Sequence, residues 1–342
     1  MSSARSLATL RGQLSAHLYT STSWRGCPPL PEREELYEEL IDPTRGSVPL
    51  RGHVYYASAS RGDIDSSSEI TRSAKLLVVV HGLSSQPDSR YLSPFIYQGL
   101  SEGYDVISLA LRGSIGEGCD HYHAGFTDDL RGLLRSEPCQ SYRDVRVIGC
   151  SLGGQVTLRY AVEGADPRVS AVVAVCPPID LTVTQRQLDS ASCRVYRAQL
   201  LRELKRAYRL IWENARRDDN PLPTALEYVY ESKSIYDWDE RVVITRFGFE
   251  SVESYQRAMS LDADQLSEAS VPCFLLFTRH DPIINTAELL PRLTPRGALH
   301  VKVLERGGHL GFPLRVDLDL GSPPAPLAAQ LSEWVNLTLK ND

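Results

Sequence analysis

The chain has 342 residues, of which 42% are hydrophobic and 23% charged, with a formal net charge of −6. That length suits one large α/β domain carrying an insertion, or at most two domains. The negative charge argues against a nucleic-acid partner, and no apolar run approaches the roughly 20 residues of a transmembrane helix, which leaves only peripheral lipid contact open. The seven cysteines are scattered without a C-x-x-C spacing, and the N-terminus lacks the apolar core of a secretory signal. Both features point to a reduced, cytoplasmic chain.

Residues 1–70 read as an N-terminal extension and early strands, with an acidic helical stretch over Glu32–Leu40, a strand over Gly52–Ala57 and a loop over Ser60–Ser68. A regular pattern then begins. Short β-branched or apolar runs at Leu76–Val80, Val106–Ala110, Val145–Ile148, Ala171–Val175, Phe274–Phe277 and Leu299–Leu304 predict strands, most of them buried on both faces. Helices are expected between and after them, over Leu92–Glu102, Phe126–Leu134, Gln155–Gly164, Ala287–Leu293 and Pro326–Leu339. The alternation predicts a mostly parallel, doubly wound sheet, with the core formed by 71–178 and 268–342.

Residues 179–267 break the rhythm and read mostly as helices, for example Ala191–Asn214 and Leu222–Tyr236. An insertion at that point would lie over the carboxyl ends of the strands, where open α/β sheets bind ligands. It reads as a helical lid, the plainer alternative being an excursion that completes the core. The Arg-rich run Arg197–Arg217 is interspersed with Glu203 and Glu213 and with apolar residues at helical spacing, as expected of a solvated lid helix.

The most informative stretch is Gly149-Cys150-Ser151-Leu152-Gly153-Gly154, lying between a predicted strand and a predicted helix. A serine between close glycines at such a turn is the nucleophile-elbow pattern. The turn strains the serine backbone, and the glycines let strand and helix approach without a Cβ clash. A serine hydroxyl needs a base, and His309 in the Gly307-Gly308-His309 loop after the last strand is the candidate. His300 lies within a strand and His280 directly precedes the proposed acid, so neither has the same freedom. Asp281, directly after the Phe274–Phe277 strand, is the orienting acid. Its Asp-Pro sequence alternatively suits a helix cap, with Asp237 and Asp239 as weaker substitutes for the acid. The order Ser151, Asp281, His309 is that of the α/β-hydrolase fold. The backbone N–H groups of Leu83 and Leu152 are the expected oxyanion donors. His81, Tyr122 and His123 are placed at the pocket rim, His81 bracing its loop. Cys119-Asp120-His121-Tyr122-His123 superficially suggests a metal site, but its histidines are two apart and no second ligand cluster follows, so loop structure or the pocket rim is the expected role.

Several of these stretches, with Arg112-Gly113-Ser114, Tyr122–Leu130, Asp281-Pro282-Ile283, Gly307–Phe312, Ser234–Asp239 and Gly248–Tyr255, resemble AB hydrolase family 4, the YheT-like group of the α/β-hydrolase superfamily. The resemblance spans roughly residues 75 to 315 and departs at Leu111, where the group often has asparagine. It implies carboxylic-ester hydrolysis mapped onto Ser151, Asp281 and His309. The expected reaction is a two-step acyl transfer on a small-molecule ester with an apolar acyl or alcohol group, requiring no metal and no cofactor. Thioester or amide hydrolysis and acyl transfer to an alcohol use the same triad, and a non-catalytic binding protein can share the scaffold.

Overall fold

The computed structural model describes residues 12–20, 27–57 and 73–341. The expected loop over Ser60–Ser68 lies outside the described residues. After α1 (residues 12–20) the chain enters a hairpin of β1 (Glu34–Asp42) and β2 (Gly46–Tyr55). The acidic stretch read as helical is therefore β1. Leu36 and Leu40 are four apart, a spacing that places them on one face of a helix and equally on one face of a strand. The turn decides between the two. Asp42 Oδ1 accepts from Thr44 N and Thr44 Oγ1 at 2.8 Å and from Arg45 N at 3.0 Å, and Gly46 takes φ 73°. The chain folds back so that Glu34 lies opposite Val54.

The core continues as β3 (Lys75–Val80), α2 (Ser93–Ser101), β4 (Asp105–Ala110), α3 (Asp128–Arg135), β5 (Asp144–Cys150), α4 (Leu152–Val162) and β6 (Val169–Val175). Every residue of β4 is buried, as the unbroken apolar pattern requires. The sheet has eight strands in the order β1-β2-β4-β3-β5-β6-β7-β8, with β2 antiparallel to both neighbours and the remaining pairs parallel. Ser151, Asp281 and His309 follow β5, β7 (Cys273–Thr278) and β8 (Leu299–Leu304), so all three stand at the carboxyl edge.

Between β6 and β7 lie α5 (Leu181–Asp189), α6 (Arg194–Arg217), α7 (Leu226–Tyr230), α8 (Ile235–Trp238), α9 (Thr245–Phe247), α10 (Val252–Met259) and α11 (Ala263–Ser267). The helix expected over Leu222–Tyr236 is broken into α7 and α8. Ser234 interrupts it by capping α8, its Oγ accepting from Asp237 N at 2.9 Å. A π-turn (Asp239–Ile244) joins α8 to α9. These helices enclose a second apolar cluster around Leu204, Tyr208, Ile211, Trp238, Val242 and Tyr255, separate from the core around the sheet. The basic face of α6 is solvated: Arg202 and Arg206 pair with Glu203, and Arg209 with Glu213. The chain closes with α12 (Thr286–Leu289) and α13 (Leu327–Asn341).

A buried ionic cluster ties the insertion to the sheet. Arg112 meets Asp42 at 2.7 Å, Asp120 at 2.9 Å and Asp129 at 2.8 Å, under the Phe126 ring. Arg246, from α9, reaches Asp120 at 2.6 Å. Among the described residues no helix is long and apolar enough to cross a membrane.

Candidate active site

Ser151 sits at the turn from β5 into α4 with φ 52° and ψ −122°, a backbone conformation that costs of order 1–3 kcal/mol for a non-glycine residue. The neighbouring glycines make this turn possible. A Cβ on Gly149 would lie 2.2 Å from Gly153 O, and one on Gly153 2.4 Å from His81 O.

The side chain of Ser151 points at the loop after β8: its Oγ is 2.8 Å from His309 Nε2. On the other side of the ring, His309 Nδ1 lies 3.0 Å from Asp281 Oδ2. Because a carboxylate only accepts, the arrangement needs the proton on Nδ1, which leaves Nε2 to accept from the serine hydroxyl. Asp281 also holds its own turn, its Oδ1 accepting from Ile283 N at 2.8 Å and Ile284 N at 2.9 Å. These bonds close the turn after β7; the helix that follows, α12, is capped by Asn285 and not by Asp281. Asp237 and Asp239 lie in the insertion, and it is Asp281 that faces His309 Nδ1; Asp237 is spent on the α8 cap, its Oδ2 accepting from Lys233 N and Ser234 N.

Leu83 and Leu152 both line the cavity above Ser151. Leu152 is the first residue of α4, so its N–H has no partner within the helix. The loop carrying Leu83 is held close: Gly82 N donates to Tyr91 Oη at 2.9 Å, and a Cβ on Gly82 would meet Ser151 Cβ at 3.1 Å. Tyr122 and His123 line the cavity. His81 does not. It is fully buried behind the loop, with Nδ1 2.8 Å from Gly82 O and Nε2 accepting from Leu111 N at 3.2 Å. It braces the loop, and burial pushes its pKa down to about 4. Leu111, where the resemblance departs, contributes this backbone donor, a carbonyl that accepts from Ser114 N at 3.0 Å, and a buried apolar side chain. His123 is packed among Phe126, Phe247, Phe249 and Tyr255, and burial pushes it down to about 3, so the ring stays neutral.

The candidate metal ligands after Cys119 diverge. Cys119 Sγ faces Asp218, Asp120 is bound by two arginines, and His123 Nδ1 accepts from Gly125 N. Cys176 is a neighbour the sequence does not reveal. Its Sγ lies within 4.8 Å of the facing Asp281 and His309 atoms, at φ 51°, and burial raises its thiol well above the ordinary range.

Thr20, in α1, is another residue without a sequence signal. Its Oγ1 accepts from His309 N at 2.7 Å. The glycines of this loop serve that contact, because a Cβ on Gly308 or Gly311 would lie 2.1 Å from Ala16 O or 2.0 Å from Tyr19 O. The helix is itself anchored to the insertion, with His17 Nδ1 2.9 Å from Tyr196 Oη.

The cavity over Ser151 measures about 500 Å³ and lies between the sheet edge and the insertion. Leu181, Leu188, Leu200, Leu204, Trp238 and Val243 give it mainly apolar walls.

Residues 77–320 match the profile of the Alpha/beta hydrolase family. The chain belongs to this family. Its sequence is similar to the embryogenesis-associated protein EMB8 of Picea glauca, at 25% identity over 75% of this chain and 57% of that protein. This hydrolase-family chain therefore spans little more than half the length of that relative. Its fold is similar to that of AbyA5, with a TM-score of 0.51 and 14% identity over 91% of this chain and 72% of the other. A naproxen esterase from Bacillus subtilis aligns over 95% of this chain and 97% of its own, at 14% identity and a TM-score of 0.48.

Proposed function

We propose that the protein is a serine hydrolase of carboxylic esters, belonging to the YheT-like group of its family. The observation that carries this reading is the unbroken chain Ser151 Oγ, His309, Asp281, linked at 2.8 and 3.0 Å at the floor of an apolar cavity. Ser151 attacks the ester carbonyl while His309 Nε2 takes its proton. Asp281 holds the imidazole in the required tautomer and stabilises the imidazolium. The N–H groups of Leu83 and Leu152 receive the developing oxyanion, with the α4 N-terminus adding its positive dipole end. His309 then returns the proton to the leaving alcohol and activates the water that frees the acid.

The insertion (179–267) acts as a lid over this cavity. Its apolar underside favours an apolar acyl or alcohol group, while the catalytic line at the cavity floor stays open to the water that deacylates Ser151. The elbow, the separated acid and base, and the covered apolar cavity together favour hydrolysis over simple binding, because a binder has no use for an activated serine.

Labelling with a fluorophosphonate probe tests the reading, comparing the wild type with Ser151→Ala. Labelling that disappears with the hydroxyl supports it. Equal labelling of both proteins, or an unlabelled but folded wild type, overturns it.

A further inference from the structure

Among the described residues no arginine or lysine lines the cavity over Ser151, yet two acidic residues do, Glu203 and Asp239. They differ in their surroundings. Glu203 is met by Arg202 and Arg206 at the outer face of α6. Asp239 opens the π-turn after α8, a widened helical turn of the kind that recurs at functional sites. Among the described residues no cation comes within ion-pair distance of its carboxyl. The groups around it are Asp189 at the end of α5, and Tyr255 and Gln256 on α10. Asp189 is already used by Ile235 N, Tyr236 N and Gln185 Nε2, with Arg197 4.0 Å away. Tyr255 Oη accepts from Ala124 N. The buried Gln256 amide lies alongside Asp239 and is its hydrogen-bonding neighbour on α10.

We propose that Asp239 is a substrate-recognition residue, its carboxyl group hydrogen-bonding an uncharged oxygen (a hydroxyl or ketone) on the part of the ester that lies beneath the insertion. This rests on the ester-hydrolase reading and adds a substrate class to it: oxygenated chains rather than plain hydrocarbon ones. A plain chain would cover the Asp239 carboxyl without a polar group of its own and leave it only Gln256, a loss that a polar group on the substrate avoids. An anionic chain would face Asp239, and among the described residues no arginine or lysine lines the cavity to receive it. Burial and the charge of Asp189 push the Asp239 pKa up to about 8, so the group stays protonated at neutral pH and offers an O–H donor as well as an acceptor.

The test uses the full-length protein with two matched ester series. One varies the acyl chain of p-nitrophenyl octanoate and the other the alcohol of hexyl octanoate, each unsubstituted, hydroxylated or oxo-substituted at successive positions, or ending in trimethylammonium. The wild type is expected to favour one oxygenated isomer by about tenfold in kcat/KM at pH 7. Asp239→Leu is expected to abolish that preference, while Asp239→Asn, which keeps an N–H donor, retains most of it. The preference for the oxo isomer falls as the pH rises through about 8 in the wild type but not in Asp239→Asn. The pH arm reads the same residue without a substitution, should Asp239→Leu fail to fold. A wild type that is labelled by fluorophosphonate yet shows no oxygen preference in either series overturns this inference alone. So does a preference for the trimethylammonium ester that grows with pH, the mark of an ionised Asp239. An unlabelled wild type overturns the hydrolase reading instead.

Discussion

Two buried polar constellations are built on the residues that follow β4 and β5, and they are built on opposite plans. Around Arg112 the charges close on one another: three carboxylates share two guanidinium groups, and an aromatic ring covers the face of Arg112. Around Ser151 the polar groups form a line, with the carboxylate fully supplied at one end and a hydroxyl facing a cavity at the other. A closed cluster spends every hydrogen-bonding direction on structure. An open line keeps one direction for a substrate, so the two should respond differently to damage.

Ser151→Ala gives the largest expected effect. It should lower ester turnover by about 10³-fold or more, read from initial rates with a p-nitrophenyl ester, because loss of the nucleophile leaves only binding and oxyanion stabilisation. Its unfolding midpoint should match the wild type, since the elbow accommodates a smaller side chain. Arg112→Met should do the converse. Removing the guanidinium strands carboxylates in the interior, an expected loss of about 3–5 kcal/mol in urea unfolding. Turnover per folded molecule should be nearly unchanged. A variant that loses rate without losing stability would place the Arg112 cluster within the chemistry and dissolve the contrast.

The open line was far more legible in the sequence than the closed cluster, for a physical reason. An elbow forces small residues at fixed offsets, so Gly149 and Gly153 announce Ser151 within six residues of chain, and the strand-following positions of Asp281 and His309 come from the alternating pattern. The Arg112 cluster joins Asp42, Asp120, Asp129 and Arg246 from four separate elements, and arginines and aspartates in those places look like ordinary surface charge. β1 was misread because its apolar pair is spaced by four, which a helix and a strand satisfy equally. The bracing role of His81 follows from its place in the loop after β3, while its complete burial, away from the rim, depends on packing that a linear reading does not contain. Thr20 left no signal at all. It reaches His309 across 289 positions of chain, and the glycines at 308 and 311, readable as freedom for the histidine, in fact mark where α1 presses against the loop.

Thr20 therefore tests whether the open line depends on its scaffold as the closed cluster does. Thr20→Val removes the acceptor for His309 N–H while keeping the side-chain shape. It is expected to lower kcat by about tenfold, the worth of one buried hydrogen bond, with KM unchanged. Thr20→Ser should restore the rate. A change in KM alone, or no rescue by serine, would make Thr20 part of the cavity wall and nothing more.

The smallest effect belongs to the rim of the closed cluster and appears only in acid. Burial opposes ionisation of Asp42, but its hydrogen bonds to Arg112 and Thr44 prevail and lower its pKa from 3.8 to about 2. The folded state therefore holds this proton less tightly than the unfolded chain does, so stability is present in full above pH 3.8 and drains away as the pH falls toward 2. Asp42→Asn should be less stable than the wild type at neutral pH, because it gives up the ion pair with Arg112. Its stability should also change less steeply between pH 4 and 2, as measured by urea midpoints at fixed ionic strength. The two stability curves should then converge at the acid end, where the wild-type carboxylate has itself become neutral. Parallel curves would mean that Asp42 contributes its turn hydrogen bonds and no charge, leaving Asp120 and Asp129 as the partners that matter to Arg112.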